Sequence, residues 1–501
     1  MKFLTAIYIV VMCVFLPIYM KDGYHKLGEA KGLAFLWISG IALGACVLGI
    51  GIYLLRLKKA GKQIDKERLI VTARKGAFLL AFFGLSIISL AFALDRKVAF
   101  FGLDGWRTGF LTWGFAAALA FIIAFWGIGS GKFSKWVAAI SLLVPFLMFI
   151  LGIINRFGIY PFAINGRNNS YLATIGNINW FTGFLSVFVP LGAGLCYREK
   201  RFSKGFFLCA IYELVGLAAL FLQGSESALL VVGACFGLLA FNGLMDRESF
   251  KDFLCQLFIL GIAMESAGLL YIILKSSYTY EDSILILTCA RHVGLILAAA
   301  AISFYRLSCL LGEIKASFKK EIYRYLLIGV AITAGVVVLL YVKNSFSDDF
   351  GNGRGIIWRI SAMVFAGESF FQKLFGVGPD CYFAFIKTDK EIARVVYDAF
   401  DGARLTNAHS ELFTILIQNG ILGAAAYLGM IFSSLWNLMK IAEGMNSEED
   451  TRLAMVFALP IGAYFLNSLV SFPQTVSTPY FFICIGMGLK VMADHRLRSQ
   501  K

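Results

Sequence analysis

One histidine stands where an apolar segment begins, in the stretch NAHSELFTILIQNGILG at residues 407–423. His409 is one of only four histidines in 501 residues, and imidazole is the side chain whose ordinary pKa lies nearest to neutral pH. Two interpretations are open: an interfacial histidine that hydrogen-bonds a backbone carbonyl, or a general base that accepts a proton from a substrate. In the second, neighbouring polar side chains would orient the ring: Asn407, Ser410 and Glu411.

A second candidate group lies upstream, in the stretch GNGRGIIWR at residues 351–359. Arg354 follows a Gly-Asn-Gly turn, and Arg359 comes about one helical turn later. An arginine beside a flexible turn and a helix start is suited to bidentate binding of phosphate oxygens. The alternative is that Arg354 forms a surface ion pair with Asp348 or Asp349.

Two further arginines stand inside or against apolar segments. Arg291 lies within LILTCARHVGLILAAAAI at residues 285–302, and Arg107 lies in GLDGWRTG before another apolar segment. A charged residue at membrane depth is costly unless it is paired or hydrated, so a functional role is the first expectation. Several arginines converging at one membrane face would suit a di-anionic lipid phosphate. A structural pair of Arg291 with Glu213 or Glu265 is the alternative.

The elements that must position these residues are membrane-spanning helices. Hydrophobic residues make up 59% of the chain and charged residues 15%, with a mean hydropathy of +0.76. About fourteen apolar segments are long enough to cross a bilayer core. We therefore predict an all-α polytopic membrane protein with about 12–14 transmembrane helices, forming a single integral membrane domain over residues 1–501.

The charge distribution predicts the orientation. The net charge of +15 is concentrated in short basic loops, which face the cytoplasm in membrane proteins, so it does not indicate nucleic-acid binding. The basic segments 56–76, 197–205, 311–324 and 495–501 fall on one side when the spans are counted, which makes both termini cytoplasmic. One long extracytoplasmic loop remains, at residues 343–410. Its many aromatic residues argue against disorder, and we expect it to cover the active site.

Four patches of this sequence resemble the O-antigen ligase and polysaccharide polymerase superfamily of bacterial membrane glycosyltransferases. They are GLDGWRTGFLT at 102–112, ATIGNINWFTGFLSVFVPLGAG at 173–194, GNGRGIIWR followed by GVGPDCYF at 376–383, and AHSELFTILIQNGILG at 408–423. Their order and topology agree with the family over nearly the whole chain. One departure is GSES at 224–227, where the family usually has Ser-Arg, and Arg291 is the candidate for supplying the missing charge.

The resemblance implies transfer of a glycan from an undecaprenyl-pyrophosphate-linked donor to an acceptor hydroxyl at the outer face of the bacterial cytoplasmic membrane. It places the catalytic histidine at His409 and a donor-binding arginine at Arg354. We expect Arg107, Arg291 and Arg359 to assist in holding the pyrophosphate. A single attack at C1 would invert the anomeric configuration. No carboxylate cluster suggests a metal ligand set, so we expect a metal-independent enzyme without a cofactor.

Other functions remain open at this stage. A polysaccharide or small-solute transporter would use Arg291, Glu213 and Glu265 as a substrate path, and a partner in an export complex would need no chemistry. Within the enzyme class, polymerase and ligase share donor, base and topology. They differ only in the acceptor, which is a second lipid-linked glycan for a polymerase and a lipid, protein or wall polymer for a ligase.

Overall fold

The computed structural model describes residues 1–129, 131–310, 320–444 and 448–500. Nearly all of it is helical, and the strands β1 (Tyr171–Leu172) and β2 (Gly176–Asn177) form a single antiparallel hairpin. The first helices are α1 (Lys2–Ile18), α2 (Leu27–Lys59), α3 (Lys66–Lys75), α4 (Ala77–Ala91), α5 (Arg96–Phe101), α6 (Phe110–Trp126) and α7 (Lys132–Arg156). They are followed by α8 (Ile178–Arg198), α9 (Lys204–Leu222), α10 (Ala228–Gly243), α11 (Arg247–Ile273), a 3₁₀ turn (Lys275–Ser277), α12 (Ile284–Ala290) and α13 (Val293–Leu310). The last group is α14 (Lys320–Ser345), α15 (Phe350–Gly367), α16 (Phe370–Phe375), α17 (Tyr382–Ile386), α18 (Lys390–Phe400), α19 (Glu411–Glu443), α20 (Glu448–Ser468) and α21 (Thr478–Arg498).

The apolar segments of the sequence coincide with these helices, which confirms an all-α polytopic architecture. Within the described residues, seven helices are long and apolar enough to cross a membrane, and an eighth span results if α3 and α4, bent by 71°, count as one. Four shorter apolar helices accompany them. The total of 12–14 transmembrane helices stays a prediction. Part of the basic segment 311–324, residues 311–319, lies outside the described residues.

Burial separates central from peripheral helices. In the most apolar 18-residue stretch of α8, 89% is buried inside the protein, whereas the corresponding fraction in α2 is 17%. The side chains of Phe181, Phe184 and Leu185 in α8 are fully buried, whereas Trp37 and Leu48 of α2 are 71% exposed. Apolar side chains on a peripheral helix can face lipid at no solvation cost. Helix α8 is therefore central in the bundle, and α2 is peripheral.

Both termini lie on the same face of the bundle. The Thr5 hydroxyl near the N-terminus lies 3.4 Å from the Trp126 carbonyl, and Arg68 in the basic segment 56–76 pairs with Asp494 near the C-terminus at 2.5 Å. The basic segment at 56–76 thus lies beside the C-terminal end of α21. That this side is the cytoplasm stays a prediction from the positive-inside rule.

One predicted span, at 283–305, is broken. Helix α12 ends at Ala290 and α13 begins at Val293, and between them His292 adopts a left-handed φ of 58°. The helices pass close to α11, where a Cβ on Gly268 would lie 2.4 Å from the Cys289 carbonyl oxygen. The break places Arg291 in an exposed turn rather than in the middle of a continuous helix.

The stretch predicted as a long loop, 343–410, folds mainly into α15, α16, α17 and α18. It has an apolar core of its own, in which Ile360, Val364 and Tyr382 are fully buried. Its position outside the membrane, on the outer face, stays a prediction. The segment ends at His409, so its folding brings α15 and its arginines to the start of α19.

Candidate functional site

The backbone at His409 is held in a defined turn before α19. The Asn407 side-chain oxygen accepts a hydrogen bond from the His409 N–H at 3.0 Å, and the Ser410 hydroxyl caps the helix by accepting one from the Phe413 N–H at 3.4 Å. His409 has a left-handed φ of 47°, which is uncommon for a residue other than glycine and is favoured only where surrounding contacts enforce it. The polar residues beside His409 therefore fix its backbone and not its ring.

The His409 imidazole faces an aromatic wall. Its ring centroid lies 5.2 Å from that of Phe472, and the side chain is partly buried. Its ring nitrogens accept or donate no hydrogen bond among the residues that the structure describes. Burial, and to a smaller extent the positive charge of Arg354, lower the pKa of His409 from 6.5 to about 4. The free protein therefore holds a neutral imidazole with accessible nitrogens at pH 7.

Arg354 lies close to this histidine and keeps its charge. Its Nε donates to the Val470 carbonyl at 3.0 Å and its Nη1 to the Gly351 carbonyl at 2.7 Å. It forms no ion pair with a carboxylate in the described parts of the chain, and burial lowers its pKa. Three successive left-handed residues, at 351–353, form the turn that presents the Gly351 carbonyl. An arginine bound only to carbonyls remains a net positive charge that can bind an anion.

The alternative partner proposed for Arg354 is used elsewhere. Asp348 pairs with Arg359 at 3.0 Å, and both side chains are about half exposed. Arg359 is thus near Arg354 in the chain, but its charge is compensated at the surface. Such exposed pairs contribute little to stability.

Residues 470–474, between α20 and α21, contact both His409 and Arg354. The sequence interpretation missed them. The Val470 carbonyl accepts from Arg354, and the Phe472 ring contacts both His409 and Trp106, the latter at a centroid distance of 4.8 Å. The available signal was the polar run SFPQTVS, at 471–477, between two apolar segments. A short polar connection between buried helices must satisfy its backbone groups locally.

Arg107 belongs to a rigid loop whose charges are balanced. Its Nη2 lies 2.6 Å from a Glu29 carboxylate oxygen and 2.6 Å from Asp104, and the hydrogen bonds to Glu29 raise its pKa. Asp380 clamps the same loop, because it accepts from the Leu103 N–H at 2.6 Å and the Thr108 N–H at 3.2 Å. The loop therefore positions Trp106 beside Phe472, and the patches at 102–112 and 376–383 form one unit.

Helix α19 is interrupted at Gly420, where φ is 72° and ψ is 180°. The interruption frees the carbonyls of Ile417 and Gln418, which accept from the Val377 N–H at 3.0 Å and the Gly378 N–H at 3.1 Å. A Cβ on Gly420 would lie 2.3 Å from the Leu374 carbonyl, so only glycine fits this approach. The GVGP turn at 376–379 thus fixes the short first part of α19, which directly follows the turn at His409.

Glu411 lies beneath the histidine and points into the bundle. Its two carboxylate oxygens accept from the Tyr427 hydroxyl at 2.5 Å and the Tyr464 hydroxyl at 2.7 Å, and the residue is 1% exposed. This network ties α19 to α20. A buried carboxylate with two donors stabilises the arrangement of the helices, because removal of either donor would leave a polar group unsatisfied.

Arg291 is not brought to this site by any contact in the described residues. It is exposed in the turn between α12 and α13, which pack on α11 and α9. Its two candidate partners are engaged elsewhere. Glu265 lies 2.7 Å from the His292 Nδ1, and Glu213 accepts from the Gln256 amide at 2.7 Å when that amide is oriented toward it.

A different arginine lies beside the GSES turn at 224–227. Arg156 is fully buried, its Nη2 donates to the Gln223 carbonyl, and its Nη1 donates to the Asn169 carbonyl at 2.8 Å. The Tyr280 ring covers the guanidinium at 4.7 Å. The sequence interpretation missed this residue, although its place at the end of an apolar segment was a signal. Arg156 thus connects three of the loops between the helices.

No family model matches this chain, and no curated protein matches it significantly. The roles of these residues therefore rest on their geometry and chemistry.

Proposed function

We propose that the protein is a membrane glycosyltransferase of the ligase or polymerase type, which moves a glycan from an undecaprenyl-pyrophosphate-linked donor to an acceptor hydroxyl. The observation that carries the proposal is the pairing of a neutral His409 with an Arg354 whose charge is not compensated by a carboxylate among the described residues. A base for a hydroxyl and a cation for a phosphate leaving group are the two groups that this reaction requires.

In the proposed reaction, the acceptor oxygen attacks C1 of the donor sugar while the bond from C1 to the pyrophosphate oxygen breaks. His409 takes the hydroxyl proton, and Arg354 stabilises the negative charge on the departing pyrophosphate. An imidazole of pKa about 4 is a weak base in the free protein. The bound pyrophosphate would offset the charge of Arg354 and stabilise the imidazolium, so the donor itself raises the pKa of the base.

The other arginines have smaller parts in this proposal. Arg107 and Arg359 already have carboxylate partners and would bind phosphate only by exchanging them. Arg291 would need a donor that reaches the α12–α13 turn. The proposal therefore assigns the main electrostatic contribution to Arg354. The location follows from the orientation prediction: the outer face of the bacterial cytoplasmic membrane, opposite the two termini.

The test is complementation in the host after deletion of the gene. His409→Ala and Arg354→Ala should reach the membrane at normal levels, fail to restore surface polysaccharide and cause lipid-linked glycan to accumulate. His25→Ala, at an exposed histidine, and Arg359→Ala are the matched controls and should restore most of the product. Arg354→Lys should restore it only partly, because lysine does not reproduce the bidentate geometry.

The same experiment separates the other interpretations. A transporter or an export partner without chemistry would tolerate His409→Ala, whereas general-base catalysis should lose on the order of 100-fold or more. The length distribution of the product distinguishes polymerase from ligase, since only a polymerase produces a ladder of repeats from the donor alone. Full function of both His409→Ala and Arg354→Ala would refute the proposal.

A further inference from the structure

A deep apolar cleft lies on the face opposite His409. It consists of two adjoining cavities that share the wall residues Ser134, Ala138, Leu142, Leu195 and Arg198. One cavity lies between α7, α8 and α9, and the other continues between α1, α7, α8, α20 and α21 as far as Tyr480. Their volumes are about 160 Å³ for the cavity that reaches Tyr480 and about 470 Å³ for the cavity between α7, α8 and α9. We call the two together the α7–α9 cleft.

The cleft opens sideways toward the lipid and not only toward water. Leu143, Leu208 and Ile211 line it and are 58%, 70% and 55% exposed. These residues lie within α7 and α9, which are both long and apolar enough to cross the membrane. In a bilayer such a lateral opening is in contact with acyl chains, and an apolar chain can fill it without desolvating any polar group.

The mouth of the cleft is positively charged. Lys135 and Arg198 line it together with Glu199, and their ion pairs are long: 3.6 Å from Lys135 to Glu199 and 3.4 Å from Arg198 to Glu449. Lys135 is 65% exposed. Three more exposed lysines flank the mouth on the adjoining helix ends: Lys132, Lys200 and Lys204. In the cavity between α7, α8 and α9, cations therefore outnumber carboxylates, as in basic pockets between transmembrane helices that bind anionic lipid head groups. In the adjoining cavity the lining charges are balanced, because Arg198, Lys490 and Arg498 are matched by Glu449, Asp450 and Asp494.

We propose that the α7–α9 cleft binds an anionic phospholipid, with an acyl chain along Ala138 and Leu142 and the phosphate at Lys135 and Arg198. The site does not depend on the proposed function, because it lies at the face that carries both chain termini and shares no residue with the His409 site. A single acyl chain with an anionic head group fits both observations, the apolar lateral opening and the basic mouth. A zwitterionic lipid would use the first and not the second.

The test uses the purified full-length protein in detergent and native mass spectrometry. Phosphatidylglycerol and phosphatidylethanolamine with identical acyl chains are titrated separately. Lys135→Glu reverses the charge at the mouth, and Ala138→Phe fills the wall that both cavities share. The matched controls are Lys62→Glu, at an exposed lysine of another basic segment, and Ile140→Phe, on α7 but outside the cleft.

We expect the wild type to bind phosphatidylglycerol at least about fivefold more tightly than phosphatidylethanolamine, since each favourable charge near the mouth adds to the affinity. Lys135→Glu should remove this preference, Ala138→Phe should weaken both lipids, and the two controls should bind as the wild type does. Equal binding of the two lipids by the wild type, or equal effects of Lys135→Glu and Lys62→Glu, would overturn the proposal. Because Lys135 is exposed, its variant tests the site even if Ala138→Phe does not fold.

Discussion

For the proposed reaction, the rate of glycosyl transfer at low donor concentration should stay nearly constant as the pH falls from 7 to about 5. Its dependence on pH reports the pKa of the base in the free enzyme, and burial together with the Arg354 charge lowers the pKa of His409 to about 4. An ordinary histidine would lose activity through pH 6.5. A diesterified pyrophosphate has only strongly acidic groups, so the donor itself does not titrate in this range.

The size of the effect follows from the two pKa values. With a pKa of about 4, roughly 97% of the imidazole is neutral at pH 5.5, against roughly 9% for a pKa of 6.5. The two cases therefore differ by about tenfold in kcat/KM at that pH. In free energy, the lowering of the pKa disfavours the imidazolium by about 3 kcal/mol.

The Arg354→Gln variant separates the two causes of the low pKa. Loss of the guanidinium removes the electrostatic lowering of the His409 pKa and leaves the lowering by burial. The pH at which kcat/KM falls on the acidic side should therefore rise from about 4 and remain below 6.5. Because kcat should report the base with the donor bound, its limb should lie at higher pH than that of kcat/KM in the wild type. Saturation with donor thus shifts the profile in the same direction as the mutation.

The assay is initial-rate transfer by the purified protein in lipid nanodiscs, with a synthetic polyprenyl-pyrophosphate-linked glycan, from pH 4 to 8. Arg359→Gln is the matched control, because its guanidinium is paired with Asp348 at the surface, and its limb should coincide with that of the wild type. A wild-type limb in kcat/KM near pH 6.5 would refute the buried, cation-facing environment of His409. So would a limb that shifts equally in Arg354→Gln and Arg359→Gln.

Two further predictions concern the supports of the site, and both are measured as the thermal unfolding midpoint of the purified protein. Gly420→Ala should destabilise the protein by more than about 3 kcal/mol, because its φ is 72° and its Cβ would lie 2.3 Å from the Leu374 carbonyl. The control Gly84→Ala, in a helix with open space around the Cβ, should be neutral or stabilising. Equal unfolding midpoints for the two variants would contradict the kink at Gly420. Asp380→Ala should cost about 1–3 kcal/mol for each N–H of the 102–109 loop that loses its acceptor. Asp380→Asn keeps an acceptor oxygen and should cost less; the reverse order would contradict the clamp.

The helices of this protein could be predicted from its sequence because the signal is local. A run such as 180–197 is apolar over the length of a bilayer core, and the resulting helix, α8, begins and ends within two residues of that prediction. The break at Arg291 could not be read in the same way. It depends on glycines of α11, which allow the backbone to approach, and hydropathy contains no information on which helix is the neighbour.

The site was predictable only where its members are near in sequence or have a distinctive residue type. His409 stood out because the chain has only four histidines, and Arg354 because it follows a Gly-Asn-Gly turn at a helix start. Phe472 did not, since an aromatic residue at the end of an apolar run is ordinary. The ion pairs were also unpredictable. Arg107 pairs with Glu29, which is far from it in the chain, and the sequence does not show which of the many acidic residues lies near Arg107 in the folded protein.

Arg107 and Arg156 are both held in place by their surroundings, which distinguishes them from Arg354, the arginine beside His409. Arg107 is balanced by two carboxylates, and Arg156 is enclosed by carbonyls and aromatic rings with no accessible surface; each fixes a loop. Arg354 is bound by two carbonyls and remains partly exposed. A carboxylate paired with Arg354 would occupy the guanidinium and raise the pKa of the nearby His409 imidazole. Arg354 would then not be free to bind a pyrophosphate, and pyrophosphate binding would change the pKa of His409 less. In the proposed reaction, the absence of such a partner among the described residues therefore couples donor binding to activation of the base.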